Sequence, residues 1–110
     1  MVDLIKVCDI TDLAPGQMKS VDVNGEPVLA VFNVGGEFCV TSNLCTHEVA
    51  LLSEGDLDGD EVECPVHGGR FNVKSGEATW FPCEESICVY KVSVKGGSVY
   101  AEVDELPVLG

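Results

Sequence analysis

Two short motifs constrain this chain more than any other feature of its sequence. They are Cys45-Thr46-His47 and Cys64-Pro65-Val66-His67, and residues 48–63 separate them. Each motif supplies one thiol and one imidazole, and the chain has 2 histidines in all. No histidine is left for acid–base chemistry elsewhere. Any fold that uses the motifs must therefore bring two distant loops to one place.

The mixture of residue types within each motif indicates which metal site they form. Two Cys and two His can hold a tetrahedral Zn²⁺, or a [2Fe–2S] cluster with Cys on one iron and His on the other. A common zinc finger pairs like with like, whereas each motif here mixes thiolate and imidazole, so each can reach both irons. The pattern favours the cluster. A zinc-stabilised binding module, or unliganded Cys and His in a packed core, remains as an alternative.

The residues that follow the second motif carry a resemblance to a known family. Arg70-Phe71-Asn72 and Ser75-Gly76-Glu77 come after it, and the run from Leu52 to Pro82 resembles small bacterial Rieske ferredoxins almost throughout. Many of these serve aromatic-ring-hydroxylating dioxygenases of the biphenyl, naphthalene or carbazole type. The resemblance implies one Rieske-type [2Fe–2S] cluster. Its ligands would be Cys45, His47, Cys64 and His67.

The ligand count predicts an electron carrier and not an enzyme. A cluster whose four ligand positions are all filled by protein exchanges electrons and does not bind substrate. A catalytic Rieske oxygenase also needs a mononuclear iron with two further His and a carboxylate, and this chain has no further His. The resemblance implies an NADH-dependent flavoprotein reductase as donor and a terminal Rieske oxygenase as acceptor. A Rieske subunit of another oxidoreductase, such as a nitrite reductase, is the alternative.

Length and composition predict one globular domain in the cytoplasm. The chain has 110 residues, 45% of them hydrophobic, which suits a single core. We see no apolar run of membrane-spanning length, and the N-terminal residues lack the features of a signal peptide. In a reducing cytosol the other four cysteines are predicted to be small buried side chains. They are Cys8, Cys39, Cys83 and Cys88, of which the last two form a redox pair in an alternative interpretation.

The net charge of −13 limits the possible partners. So acidic a surface argues against binding nucleic acid or an anionic membrane. It favours soluble partners with basic docking faces, although solubility alone would also explain it. We expect a monomer.

Hydrophobic alternation and turn residues predict an all-β fold, a small antiparallel sandwich or barrel. Asn24-Gly25, Gly35-Gly36 and Gly96-Gly97 separate apolar runs as hairpin turns do. Two shorter features are predicted between the motifs: a helical turn within Glu48–Glu54 and a solvated turn at Asp56–Asp60. The resemblance implies that the whole chain forms one Rieske domain, with a base subdomain of roughly residues 1–42 and 84–110. Residues 43–83 form an inserted cluster-binding subdomain.

Two further expectations come from the resemblance. Trp80-Phe81-Pro82 would be a third loop that covers the cluster, with ordinary core packing of Trp80 and Phe81 as the alternative. Respiratory Rieske proteins join their ligand loops by a disulfide, but this chain has Ala50 and Val66 there. They also carry Ser and Tyr donors where it has Gly69 and Phe71. Without these donors the potential should lie near the low end of the Rieske range, about −150 mV.

Overall fold

Strands dominate the computed structural model, which describes residues 3–44, 50–66, 68–81 and 85–105. Within those ranges no helix is long and apolar enough to cross a membrane. A 3₁₀ turn spans Leu52–Glu54. The strands are β1 (Asp3–Asp9), β2 (Met18–Val23), β3 (Glu26–Val34), β4 (Glu37–Ser42), β5 (Asp56–Asp58), β6 (Glu61–Glu63), β7 (Arg70–Asn72), β8 (Ala78–Trp80), β9 (Val89–Lys95) and β10 (Ser98–Val103).

Six of these strands form one antiparallel sheet in the order β1-β10-β9-β4-β3-β2. The predicted hairpins are confirmed where β2 meets β3, β3 meets β4 and β9 meets β10. At the first of them Asn24 has φ 56° and Gly25 has φ 83°, the left-handed pair that a type I′ turn requires. The all-β prediction is confirmed, because local turn chemistry and strand alternation agree along most of the chain.

Strand β3 is buried on both faces because it separates two apolar cores. Leu29 and Val31 pack into the first core, inside the six-stranded sheet, together with Val40 and Val99. The alternate residues of β3 point the other way into a second core, which lies against the remaining strands. This second core contains Ala30, Phe32, Cys39, Leu52, Val62, Cys64, Phe71, Val73 and Ile87.

The second sheet has four short antiparallel strands in the order β5-β6-β7-β8. The solvated turn predicted over Asp56–Asp60 is wrong for its first half, where residues 56–58 form β5. The reason is Leu57, which pairs with Val62 on β6 and packs against the second core. The backbone N–H of Ile87 donates to the Gly76 carbonyl at 2.9 Å and ties this sheet to the chain entering β9.

Candidate metal centre

Of the four predicted ligands, the structure describes Cys64, while Cys45, His47 and His67 lie outside the described residues. Cys64 directly follows β6 and is only 1% exposed, as a member of the second core. Alternation along β6 explains this position, because the core-facing Val62 and Cys64 lie two residues apart. The predicted thiolate ligand is therefore held in a dry environment at the edge of a packed core.

The segment between Cys64 and Gly69 is closed at its base by the backbone. The N–H of Cys64 donates to the carbonyl of Gly69 at 2.7 Å. Within the segment, Gly68 has φ 72°, a left-handed conformation that favours glycine. Val66 is half-buried against the second core, whereas Pro65 is exposed. This hydrogen bond joins the two ends of the loop that carries the second motif.

The first motif lies between two residues that pair with each other. Leu44 and Leu51 form an isolated antiparallel bridge. Beside it, the N–H of Leu52 donates to the carbonyl of Asn43 at 2.8 Å. Backbone contacts thus hold together the two residues that flank the first motif on either side.

Asn43 strengthens this closure and was missed in the sequence. It is fully buried, and its side-chain Oδ1 accepts a hydrogen bond from the Ser53 N–H at 2.8 Å. Its Nδ2 donates to the Pro27 carbonyl at 3.0 Å and to Ser20 Oγ at 3.3 Å. A buried amide with several partners fixes its surroundings, because each unsatisfied partner would be costly. The signal that could have revealed it in the sequence is an Asn that directly follows an apolar strand and lies two residues before Cys45.

Trp80 is the last residue of β8, not part of a loop, and both it and Phe81 present their aromatic side chains to solvent. Trp80 is 61% exposed and Phe81 is 81% exposed, while Pro82 lies outside the described residues. Core packing is therefore excluded for Trp80 and Phe81. The guanidinium carbon of Arg70 lies 5.9 Å from the centroid of the Trp80 ring. Two neighbouring exposed aromatics of this size form an apolar surface beside the second sheet.

The second sheet is also strongly acidic. Arg70 forms ion pairs with Asp58, Glu61 and Glu63 at 3.1, 3.4 and 3.1 Å. The hydrogen bonds that Arg70 donates to Asp58 and Glu63 are the main reason that the pKa of Arg70 is raised. Because one cation faces three carboxylates, the local charge stays negative.

The cysteines outside the motifs do not share one environment. Cys8 is buried in the first core and Cys39 in the second, and burial raises the pKa of both thiols. Both are buried, as predicted, and the raised pKa disfavours the thiolate form on which cysteine reactivity depends. The prediction is wrong for Cys88, which is exposed, because it lies at the surface where the chain enters β9. Cys83 is not among the described residues, so the redox pair stays a hypothesis.

The positions compared with respiratory Rieske proteins are apolar in the structure as well as in the sequence. Ala50 and Val66 are partly buried against the second core. Phe71 is fully buried in that core together with Cys64. The described part of the site thus offers a buried thiol, an apolar wall and loop ends joined by backbone hydrogen bonds. These features fit a [2Fe–2S] cluster, which needs soft thiolate ligands and a shielded environment.

Comparison with known proteins decides the family. The Rieske [2Fe-2S] domain family matches residues 3–95. This chain belongs to the Rieske [2Fe–2S] family. It carries one Rieske-type cluster and is an electron carrier, not an enzyme. The zinc alternative is not supported.

Two curated relatives and one solved structure show which branch of the Rieske family is similar. The chain is 48% identical over 96 residues to ferredoxin CarAc of Metapseudomonas resinovorans, covering 87% of this chain and 90% of that protein. It is 40% identical over 109 residues to the ferredoxin component of the p-cumate 2,3-dioxygenase system of Pseudomonas putida, covering 98% and 92%. A solved complex of reduced oxygenase and oxidised ferredoxin in carbazole 1,9a-dioxygenase contains a chain that matches with TM-score 0.86 and 46% identity, covering 90% and 92%.

Proposed function

We propose that this Rieske ferredoxin is the electron carrier of an aromatic-ring-hydroxylating dioxygenase system. It would accept one electron from an NADH-dependent flavoprotein reductase and deliver it to the terminal Rieske oxygenase. The observation that carries the proposal is the similarity over nearly the whole chain to the ferredoxins of two dioxygenase systems, those that act on p-cumate and carbazole. That similarity also favours a dioxygenase over the nitrite reductase alternative.

We assign the four cluster ligands to the two motifs. Burial of Cys64 and closure of the loop behind it support its role as a thiolate ligand. The list of proposed ligands is Cys45, His47, Cys64 and His67. We further propose that residues 43–83 are the cluster-binding subdomain and that residues 1–42 and 84–110 are the base. All four strands of the second sheet fall in the first of these segments, and the six strands of the other sheet fall in the base.

When bound, the cluster supplies a centre that takes up and releases one electron. The protein's own part is to hold the site dry and to set its potential. The second core excludes water from the side of Cys64. Phe71 and Gly69 offer no side-chain hydroxyl, so no such donor stabilises the more negative reduced state. This supports a reduction potential at the lower end of the Rieske range, about −150 mV.

Partner docking is proposed at the end of the molecule that carries the ligand loops. The exposed aromatic pair Trp80-Phe81 supplies apolar contact area there. Exposed carboxylates on the adjoining segment steer a basic partner towards it. They are Glu54, Asp56, Asp58 and Asp60. We place the carrier in the cytoplasm. We propose that it is a monomer, because a small shuttle must leave one partner before it meets the next.

Ligand replacement tests the site. Changing Cys45, His47, Cys64 or His67 to Ala should abolish both bound iron and the visible absorption bands, since an iron would lack a ligand. Cys39→Ala is the matched control, because Cys39 is buried in the same core as Cys64. It should lose stability but keep the cluster. Full iron content in any one of the four variants would remove that residue from the ligand set.

Reconstitution tests the role. The reduced protein should pass electrons to the terminal oxygenase of carbazole 1,9a-dioxygenase and support product formation. A holoprotein with normal iron content that reduces neither this oxygenase nor the oxygenase of the p-cumate system would contradict the proposed function.

A further inference from the structure

Arg70 is the only arginine of the chain, and it lies at the neck of the second ligand loop. It pairs with Glu63 in the β6–β7 register, so these two residues flank residues 64–69. The Nε and Nη2 atoms of Arg70 both donate to Glu63 Oε1, at 3.2 and 3.1 Å. This side-chain contact lies beside the backbone hydrogen bond from Cys64 to Gly69 and closes the loop a second time.

The same guanidinium also reaches farther back along β6 and across to β5. Its Nη1 donates to Asp58 on β5 at 3.1 Å and to Glu61 on β6 at 3.4 Å. One planar cation therefore holds three carboxylates that would otherwise repel one another. A lysine could keep the charge but not the fork of donors, because its ammonium is a single compact group.

A third contact connects Arg70 to the exposed aromatic pair. Arg70 pairs with Trp80 in the β7–β8 register, and its guanidinium carbon lies 5.9 Å from the ring centroid. That distance is within the range of a cation–π contact. The Arg70 side chain is only 26% exposed, whereas Trp80 is 61% exposed. The arginine thus lies beneath a ring that faces solvent.

We propose that Arg70 is a positioning residue that fixes Trp80 relative to the second ligand loop. This inference rests on the proposed function, in which a redox partner docks on Trp80. Electron transfer slows steeply with distance, so a partner that docks on a mobile ring would receive electrons less efficiently. Arg70 links the docking surface to the loop through one rigid, planar group.

Two readouts on the holoprotein test the link without any partner. Trp80 is the single tryptophan, so quenching of its fluorescence by acrylamide reports how freely its ring is reached. Bleaching of the visible bands by an iron chelator reports how firmly the ligand loop is closed. Arg70→Gln removes the charge and most donors, and Arg70→Lys removes only the fork. Lys91→Met is the matched control, because it deletes one cation that is 81% exposed on the six-stranded sheet.

Both Arg70 variants should show faster bleaching, by roughly two- to fivefold, the effect expected for a partly exposed ion-pair network. Quenching should also be stronger, but by less than about twofold, because Trp80 is already 61% exposed. Lys91→Met should change neither. If Arg70→Lys matched the wild type in both readouts, or if Lys91→Met moved them equally, the inference would be wrong. Should Arg70→Gln fail to fold, Arg70→Lys carries the test by itself.

A double-mutant cycle tests the effect on electron transfer. The rate to the carbazole oxygenase is measured in about 1 M salt, where exposed charges are screened beyond roughly 3 Å. Arg70→Lys should slow transfer in the wild type but have little further effect when Trp80 is already Leu. Fully additive losses would overturn the proposal. Because quenching and bleaching need no partner, a protein that never reduces the oxygenase would contradict the proposed function and leave them unchanged.

Discussion

Gly55 should tolerate no side chain, although its backbone is not in the left-handed region that demands glycine. It follows the 3₁₀ turn at Leu52–Glu54, and its N–H donates to the Leu52 carbonyl at 3.0 Å. Its φ is −89°. A Cβ atom there would overlap the Glu63 carbonyl oxygen and would lie 3.0 Å from the Glu63 carbonyl carbon and 3.2 Å from Pro65 Cδ. Those two residues flank the proposed ligand Cys64.

The cost of Gly55→Ala can be estimated from these contacts. The atoms in the way belong to backbone and a proline ring, so they cannot rotate aside as a flexible side chain would. Overpacking of this kind typically costs 1–3 kcal/mol, and we expect about 2 kcal/mol of unfolding free energy. For a domain of this size that lowers Tm by roughly 10 °C. Because the displaced backbone leads directly into Cys64, the cluster should also be bound less well.

Thermal unfolding and iron content per chain measure the two effects separately. Gly59→Ala is the control in the same hairpin: φ is 62°, and no atom lies within 4 Å of an added Cβ. Its strain is confined to the turn and costs about 1–2 kcal/mol, so stability should fall while iron content stays normal. Wild-type Tm and iron content in Gly55→Ala would refute the reasoning. So would a greater loss of iron from Gly59→Ala.

Three further predictions follow from the site and its surroundings. Phe71→Tyr places a hydroxyl in the buried core that also contains Cys64. A hydrogen bond from this hydroxyl to a cluster or ligand sulfur that is about 1–2 kcal/mol stronger in the reduced state would raise the reduction potential by roughly 40–90 mV, as measured by protein-film voltammetry. An unchanged potential with lowered stability would show that the hydroxyl does not bond to a sulfur. Electron transfer to a basic oxygenase should slow as salt rises, because screening weakens steering by carboxylates such as Asp56 and Asp58; rates indifferent to salt would leave only the apolar contact. Burial raises the pKa of Tyr90 to about 12, so its stabilising effect is complete below pH 10, the unfolded pKa, and is lost as pH rises towards 12; Tyr90→Phe should flatten this alkaline loss of stability, measured by denaturant unfolding.

Much of the local structure was predictable because it depends on neighbouring residues alone. Asn24-Gly25 adopts the left-handed pair of a type I′ turn wherever it joins two strands, so the hairpin needed no tertiary information. Apolar residues on both faces of β3 indicated a central strand. The order of Cys and His favoured a [2Fe–2S] cluster over zinc, and the family match then showed that cofactor class.

Tertiary structure decided which surface each face of a strand meets. The sequence shows that Phe32 and Phe71 are apolar, but not that they share one core with Cys64. It left Trp80 equally compatible with a core or a surface position, because a strand edge near a loop carries no burial signal of its own. The roles of Asn43 and Gly55 depend on residues brought together from separate parts of the chain.

The sequence by itself therefore determined the chemistry of the site and the strands that flank it, since both follow from residue type and spacing. The tertiary structure determined how the loops are held. Glu63 and Asp58 contact Arg70 only because β5, β6 and β7 pair in one register. A shift of one residue would turn every side chain of those strands to the opposite face. That register is set by packing against the second core, which no short stretch of sequence specifies.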